Sequence, residues 1–125
     1  MRKLITNIKP DKMLNEATIL RFITHVCLGL HHMHRYYIVH RDLKPENLLI
    51  IKGVIKIADF GIARTFENHT RCKTLESGSL YYMAPEVLDS YLDNYLSKAT
   101  IKCDVWAVGI ILYELCMGGR PFIHS

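Results

Sequence analysis

The chain has 125 residues, 50% of them hydrophobic and 22% charged, with a formal net charge of +4. That size and balance fit a globular domain with its own core and exclude an intrinsically disordered chain. Lys and Arg are scattered rather than striped, which argues against a nucleic-acid partner, and the longest apolar stretch, Val105 to Met117, is too short and too interrupted by Glu114 to span a bilayer.

Cys27, Cys72, Cys103 and Cys116 form no Cys-x-x-Cys pair, and no cleavable signal segment opens the chain. They read as reduced thiols of an intracellular, cytoplasmic protein, with the nucleus left open.

Met1 to Asp11 is ambiguous, because Leu4, Ile5 and Ile8 have helical spacing but Pro10 stops a helix near Lys9. From Asn15 the pattern is firm. Ile19, Phe22, Ile23, Val26, Leu30 and Met33 recur at i, i+3, i+4, i+7, i+11 and i+14, one apolar face of a helix of about five turns. Asn15 is the expected N-cap, and Glu16 suits the positive helix end. His31 and His34 share a spacing that metal sites use, but no third ligand stands nearby, so they read as a polar helix end.

Ile38-Val39 is a very short strand candidate, and His40-Arg41-Asp42-Leu43-Lys44-Pro45-Glu46-Asn47 follows as a loop. Pro45 fixes its own φ and pushes Lys44 towards an extended conformation. Within eight residues this loop offers a base in Asp42, a cation in Lys44 and an amide oxygen in Asn47. Asp42 can accept a hydroxyl proton, Lys44 can neutralise a transferring phosphate, and Asn47 can ligate a hard metal ion.

Leu48 to Ile51 and Val54 to Ile57 are β-type runs joined by Lys52-Gly53, a natural two-residue turn. With that turn, Ile51 pairs with Val54 and Leu48 with Ile57. Asn47 then lies opposite Ala58, and Asp59 is next. The hairpin brings an amide and a carboxylate to one open end, placed to share a metal ion.

Ile62 to Gly78 is polar and rich in hydroxyls, among them Thr65, Thr70, Thr74 and Ser77. Val87 to Lys102 reads as a short helix and then a loop, longer and more polar around Tyr91 to Thr100. Cys103 onward reads as a helix apolar all round, with Val105, Val108, Leu112 and Leu115 on one face. Gly118-Gly119 supplies its C-cap and Pro121 a stop.

Three motifs carry a family resemblance. His40 to Asn47 matches the catalytic-loop pattern His-Arg-Asp-Leu-x-x-x-Asn of protein kinases. Asp59-Phe60-Gly61 matches their metal-binding triplet, twelve residues after Asn47. Gly78 to Glu86 resembles the substrate-docking loop and its Ala-Pro-Glu end, with Leu80 where many relatives have proline. Lys44 resembles the serine/threonine branch. Cys27 to His34, Phe60 to Arg64 and Asp104 to Ala107 look similar to NIMA-related kinases, and Ala84 to Leu88 to calcium/calmodulin-dependent ones.

The resemblance implies a mainly helical α+β fold covering residues 1–125. This is part of a kinase large (C-terminal) lobe, long helices with a small β-hairpin, without the small N-terminal lobe. It implies a catalytic loop at 40–47, a metal triplet at 59–61, an activation segment at 59–86 and a central buried helix at about 104–117. It further implies a protein serine/threonine kinase that transfers the γ-phosphate of ATP, with Mg2+, to protein substrates. Asp42 would be the base, Lys44 would stabilise the transferring group, Asn47 and Asp59 would hold magnesium, and Leu49 would form the floor under adenine. Lys44, Asn47, Leu49 and Asp59 together would face the nucleotide. His40 would brace the loop, and the Asp104 position would anchor its backbone. Ser79 would bond to Asp42 and Lys44. Thr74 or Ser77 would be the site where an upstream kinase adds a phosphate that Arg41 pairs.

No Gly-x-Gly-x-x-Gly run occurs, nor a Val-Ala-Ile-Lys-type strand. The expectation is therefore a kinase fragment whose 125 residues alone have little or no activity. Nor does the sequence contain the helices whose arginine normally pairs with the Glu86 position, leaving that charge either solvated or buried alone. The alternative reading is a non-catalytic decoy that docks through Gly78 to Glu86, or a chain that does not fold alone because its central helix is partly uncovered.

Overall fold

Asn15 begins the first long helix. Its side chain accepts from the Thr18 amide at 2.8 Å, and Glu16 stands in the first turn of α1, Glu16–Arg35. The computed structural model describes residues 2–3, 13–59, 64–65, 79–92 and 100–122. Ile19, Phe22, Val26, Leu30 and Met33 of α1 are buried, and Ile23 is partly so. This is the expected apolar face, and burying it supplies most of the helix's stability.

Four strands lie around the expected loop: β2 at Ile38–Val39, β3 at Leu48–Ile51, β4 at Val54–Ile57 and β5 at Arg64–Thr65. The hairpin has the expected register, with Leu48 against Ile57 and Ile51 against Val54. Its turn uses Lys52 at φ 50° and Gly53 at φ 78°, both left-handed. Such a turn matches the twist of the strands it joins. A lysine is a poor occupant of that conformation and asparagine a good one. Lys52→Asn should therefore stabilise the fold by about 0.5–1 kcal/mol, read as a higher urea midpoint.

Two strand pairings go beyond the expected hairpin. Strand β1, Arg2–Lys3, pairs antiparallel with β3, Arg2 against Ile50, so the sheet has the order β1-β3-β4. The sequence gives Arg-Lys no strand signal, because the free edge of β3 decides its conformation. Likewise β5 pairs with β2, Val39 against Arg64, within a stretch read as a polar loop. The helical spacing of Leu4, Ile5 and Ile8, the remainder of the polar stretch and most of the long polar segment around Tyr91 to Thr100 lie outside the described residues.

Helix α2 runs Pro85–Leu92, with proline at its first position. Helix α3 runs Ile101–Met117, starting earlier than the expected 104 because Thr100 caps it by accepting from the Lys102 amide at 3.2 Å. It ends at Gly118, left-handed at φ 69°. The buried face of α3 keeps Val108 and Leu115 of the expected set, with Leu112 partly buried, but not Val105. Asp104, Ala107, Val108, Ile111 and Leu115 face the core, whereas Val105 is 57% exposed. With apolar residues on every side, periodicity could not pick the face. The buried Asp104 marks it instead. The apolar residues of this face join those of α1 with Leu43, Leu48, Ile55 and Tyr82 in one core. Among the described residues, no helix is long and apolar enough to cross a membrane.

Candidate active site

The loop that follows β2 is fixed from below by one buried carboxylate. Asp104 is 1% exposed, yet four groups donate to it, the weakest being the Cys103 thiol at 3.9 Å from Oδ1. The His40 amide reaches Oδ2 at 2.9 Å and the Arg41 amide reaches Oδ1 at 3.0 Å. His34 Nε2 reaches Oδ2 at 2.8 Å, and since a carboxylate only accepts, that nitrogen carries the hydrogen. A buried charge is tolerable only when saturated in this way. Arg41 turns the chain at φ 69°, a conformation rare for a side chain of its size, and the two amide bonds to Asp104 hold that turn.

His40 is fully buried and links the loop to the hairpin. The Asp42 amide donates to its Nδ1 at 3.3 Å, and its Nε2 lies 3.0 Å from the Ala58 carbonyl oxygen. The first bond needs a bare Nδ1 and the second a protonated Nε2, so the ring is the neutral Nε2–H tautomer.

The chemistry-bearing side chains stand on this braced loop. Asp42 and Lys44 form an ion pair, Oδ2 to Nζ at 3.2 Å, with side chains 21% and 12% exposed. Lys44 is extended, at φ −155° and ψ 163°, as its proline neighbour requires. Pro45–Asn47 closes as a single tight turn. The Asn47 amide nitrogen donates to the Asp42 carbonyl at 2.7 Å, and more weakly to Asp42 Oδ2 at 3.5 Å. Committing its nitrogen leaves the Asn47 side-chain oxygen for another partner.

Ala58 donates its amide to the Asn47 carbonyl at 2.8 Å, which continues the hairpin ladder past β3 and β4. Asp59 is therefore the next residue at the open end beside Asn47, as the register requires. It is exposed and held at φ 61°. Two oxygen donors at one end of a hairpin suit a hard cation such as magnesium, which takes one or two protein oxygens and fills its shell with phosphate and water. Among the described residues no group of three or more His, Cys, Asp and Glu could hold a metal ion by itself.

Leu49 is half-buried, on the face of β3 opposite Leu48. Glu86 is exposed in the first turn of α2, so of the two states expected for it the buried charge is the wrong one. Ser79 opens a short 3₁₀ turn, Ser79–Tyr82. Phe60, Gly61, Thr74 and Ser77 lie outside the described residues.

Two features of the site escaped sequence reasoning. His34 looked like a polar helix end, yet it seals Asp104. The second is a network between the 3₁₀ turn and α3: the Tyr82 hydroxyl donates to Glu114 Oε2 at 2.7 Å, and Arg120 Nε lies 3.5 Å from Glu114 Oε1. Burial, followed by the hydrogen bond and charge of Glu114, raises the Tyr82 pKa far above the ordinary phenol range, so the hydroxyl keeps its proton and remains the donor.

A family model described as the protein kinase domain matches residues 1–125. The chain belongs to the protein kinase family. It is 39% identical to calcium-dependent protein kinase 4 of Plasmodium berghei (strain Anka), over 98% of this chain and 23% of that protein. It is 37% identical to the citron Rho-interacting kinase of Mus musculus, over 92% of this chain and 6% of that protein. Against myosin light chain kinase 3 of Rattus norvegicus the identity is 38%, over 88% of this chain and 14% of that protein. The chain thus spans less than a quarter of the length of these relatives. Their names agree with the kinase motifs of the loop and hairpin.

Proposed function

We propose that this chain is the catalytic centre of a protein serine/threonine kinase, which transfers the γ-phosphate of ATP to hydroxyls of protein substrates. The observation that carries the reading is the shared frame of Asp42, Lys44, Asn47 and Asp59. Three stand on a loop pinned by Asp104, and the fourth lies beside Asn47 at the hairpin end. In this reading the catalytic loop is 40–47, the metal triplet 59–61 and the activation segment 59–86, with the central helix beneath them.

Asp42 accepts the proton of the incoming hydroxyl, and the Asn47 amide holds the Asp42 backbone in place while it does so. Lys44, already paired with Asp42, offsets negative charge on the group in transfer. Asn47 and Asp59 would hold magnesium, whose contribution when bound is to neutralise phosphate charge. Leu49 forms the floor under adenine, and with Lys44, Asn47 and Asp59 completes the nucleotide-facing set. Arg41 pairs a phosphate placed on Thr74 or Ser77 by an upstream kinase, and Ser79 belongs with Glu86 to the activation and substrate loop. In this reading the protein works inside the cell, in the cytoplasm, with the nucleus left open. Because positioning a nucleotide is worth about 7–11 kcal/mol of barrier, the 125 residues alone transfer little or no phosphate.

The test is phosphotransfer from labelled ATP to matched peptides offering Ser, Thr or Tyr, using the longest natural protein that carries this chain. Labelled phosphoserine and phosphothreonine are expected; labelled tyrosine alone, or none of the three, would reject the reading. For the metal pair, Asn47→Ala should weaken Mn2+-dependent nucleotide binding at least tenfold, since it removes an oxygen donor and frees Asp42. Isothermal calorimetry at fixed nucleotide would show it, and unchanged binding would remove Asn47 from the metal site.

A further inference from the structure

Arg120 follows the left-handed turn at Gly118, and two residues beyond it Phe122 stacks on Trp106, with ring centroids 6.3 Å apart and planes 8° from parallel. The arginine is thus held on both sides. Its guanidinium carbon lies 4.3 Å from the centroid of the Tyr81 ring and 5.9 Å from that of Tyr82. Its Nε faces Glu114 Oε1, while the other oxygen of the same carboxylate takes the Tyr82 hydroxyl. One carboxylate of α3 therefore joins Arg120 to the 3₁₀ turn, and the arginine covers a tyrosine ring that is itself 42% exposed. A planar guanidinium serves both contacts, where a lysine could serve only one.

We propose that Arg120 is a positioning residue for the acceptor peptide. It clamps the Ser79–Tyr82 turn onto α3 through Glu114 and the Tyr81 ring, and so sets the surface on which the peptide lies. Nothing in this role touches the reacting atoms, which stand on the loop held by Asp104. The inference rests on the kinase reading proposed above. A clamp of this kind acts on peptide binding and leaves the chemical step alone.

The experiment is steady-state kinetics on the full natural protein, varying peptide and ATP separately. For Arg120→Ala the peptide KM should rise about three- to thirtyfold, with kcat and the ATP KM within twofold of the parent. Arg120→Lys should recover part of the loss, because it keeps the charge opposite Glu114 but not the flat stacking on Tyr81. Glu114→Gln, which leaves an acceptor for Tyr82, should move the peptide KM in the same direction. The double variant should be no worse than the poorer single one, since both break one clamp. An unchanged peptide KM, or a fall of kcat in step with the melting temperature, overturns the clamp. Transfer that is absent in the parent, or that survives Asp42→Asn, overturns the kinase reading and the clamp with it.

Discussion

Asp42→Asn should reduce kcat for peptide phosphorylation about 10²- to 10⁴-fold while leaving the ATP KM within a few-fold of the parent. The asparagine keeps the size of the side chain and one oxygen towards Lys44, but no longer has a carboxylate to take the acceptor proton. The loop should survive the change, because its frame is made elsewhere. Asp104 holds the His40 and Arg41 amides, and the Asn47 side chain donates chiefly to the Asp42 carbonyl rather than its carboxylate. An unaltered melting temperature with a large loss of kcat is thus the expected pair of results. A loss of less than tenfold would remove Asp42 from the role of base.

The second large effect belongs to Asp104, which does no chemistry. Asp104→Ala strips the acceptor from the His40 and Arg41 amides, the Cys103 thiol and the His34 ring together, and opens a hole beneath the loop. Removing the charged partner from such a set costs roughly 3–5 kcal/mol, a large share of the stability of an ordinary domain. Asp104→Asn should cost less, because one oxygen still accepts, but its amide hydrogens then face a donor. Urea unfolding of the two variants should rank them in that order, and a loss below about 1 kcal/mol in the alanine variant would show that the loop is held by something else. Activity should fall in both, since the amide bonds that hold the left-handed turn at Arg41 are lost in one variant and weakened in the other.

The elements that sequence made legible are those whose signal is local. The α1 face repeats its apolar positions over several turns, and Asn15 caps it. The hairpin register follows from the two-residue turn at Lys52-Gly53, and that register alone places Asn47 beside Asp59. What sequence could not give depends on partners far along the chain. Arg2–Lys3 is a strand only because β3 has an open edge, and Arg64–Thr65 only because β2 does. The buried side of α3 was misread through Val105 because a helix apolar on every side has no preferred face until its neighbours choose one. His34 and Asp104 are seventy residues apart, so neither position announces the bond between them. The Tyr82, Glu114 and Arg120 network is hidden for the same reason.

The amides of His40 and Arg41 lie outside any helix, and only the fold around one carboxylate shields them. In deuterated water, loop hydrogens ordinarily exchange within seconds, because small openings expose them. These two can exchange only when α3 separates from the loop it carries. Their rates should therefore group with those of the α1 and α3 interior rather than with those of the turns, and should report the opening of the whole core.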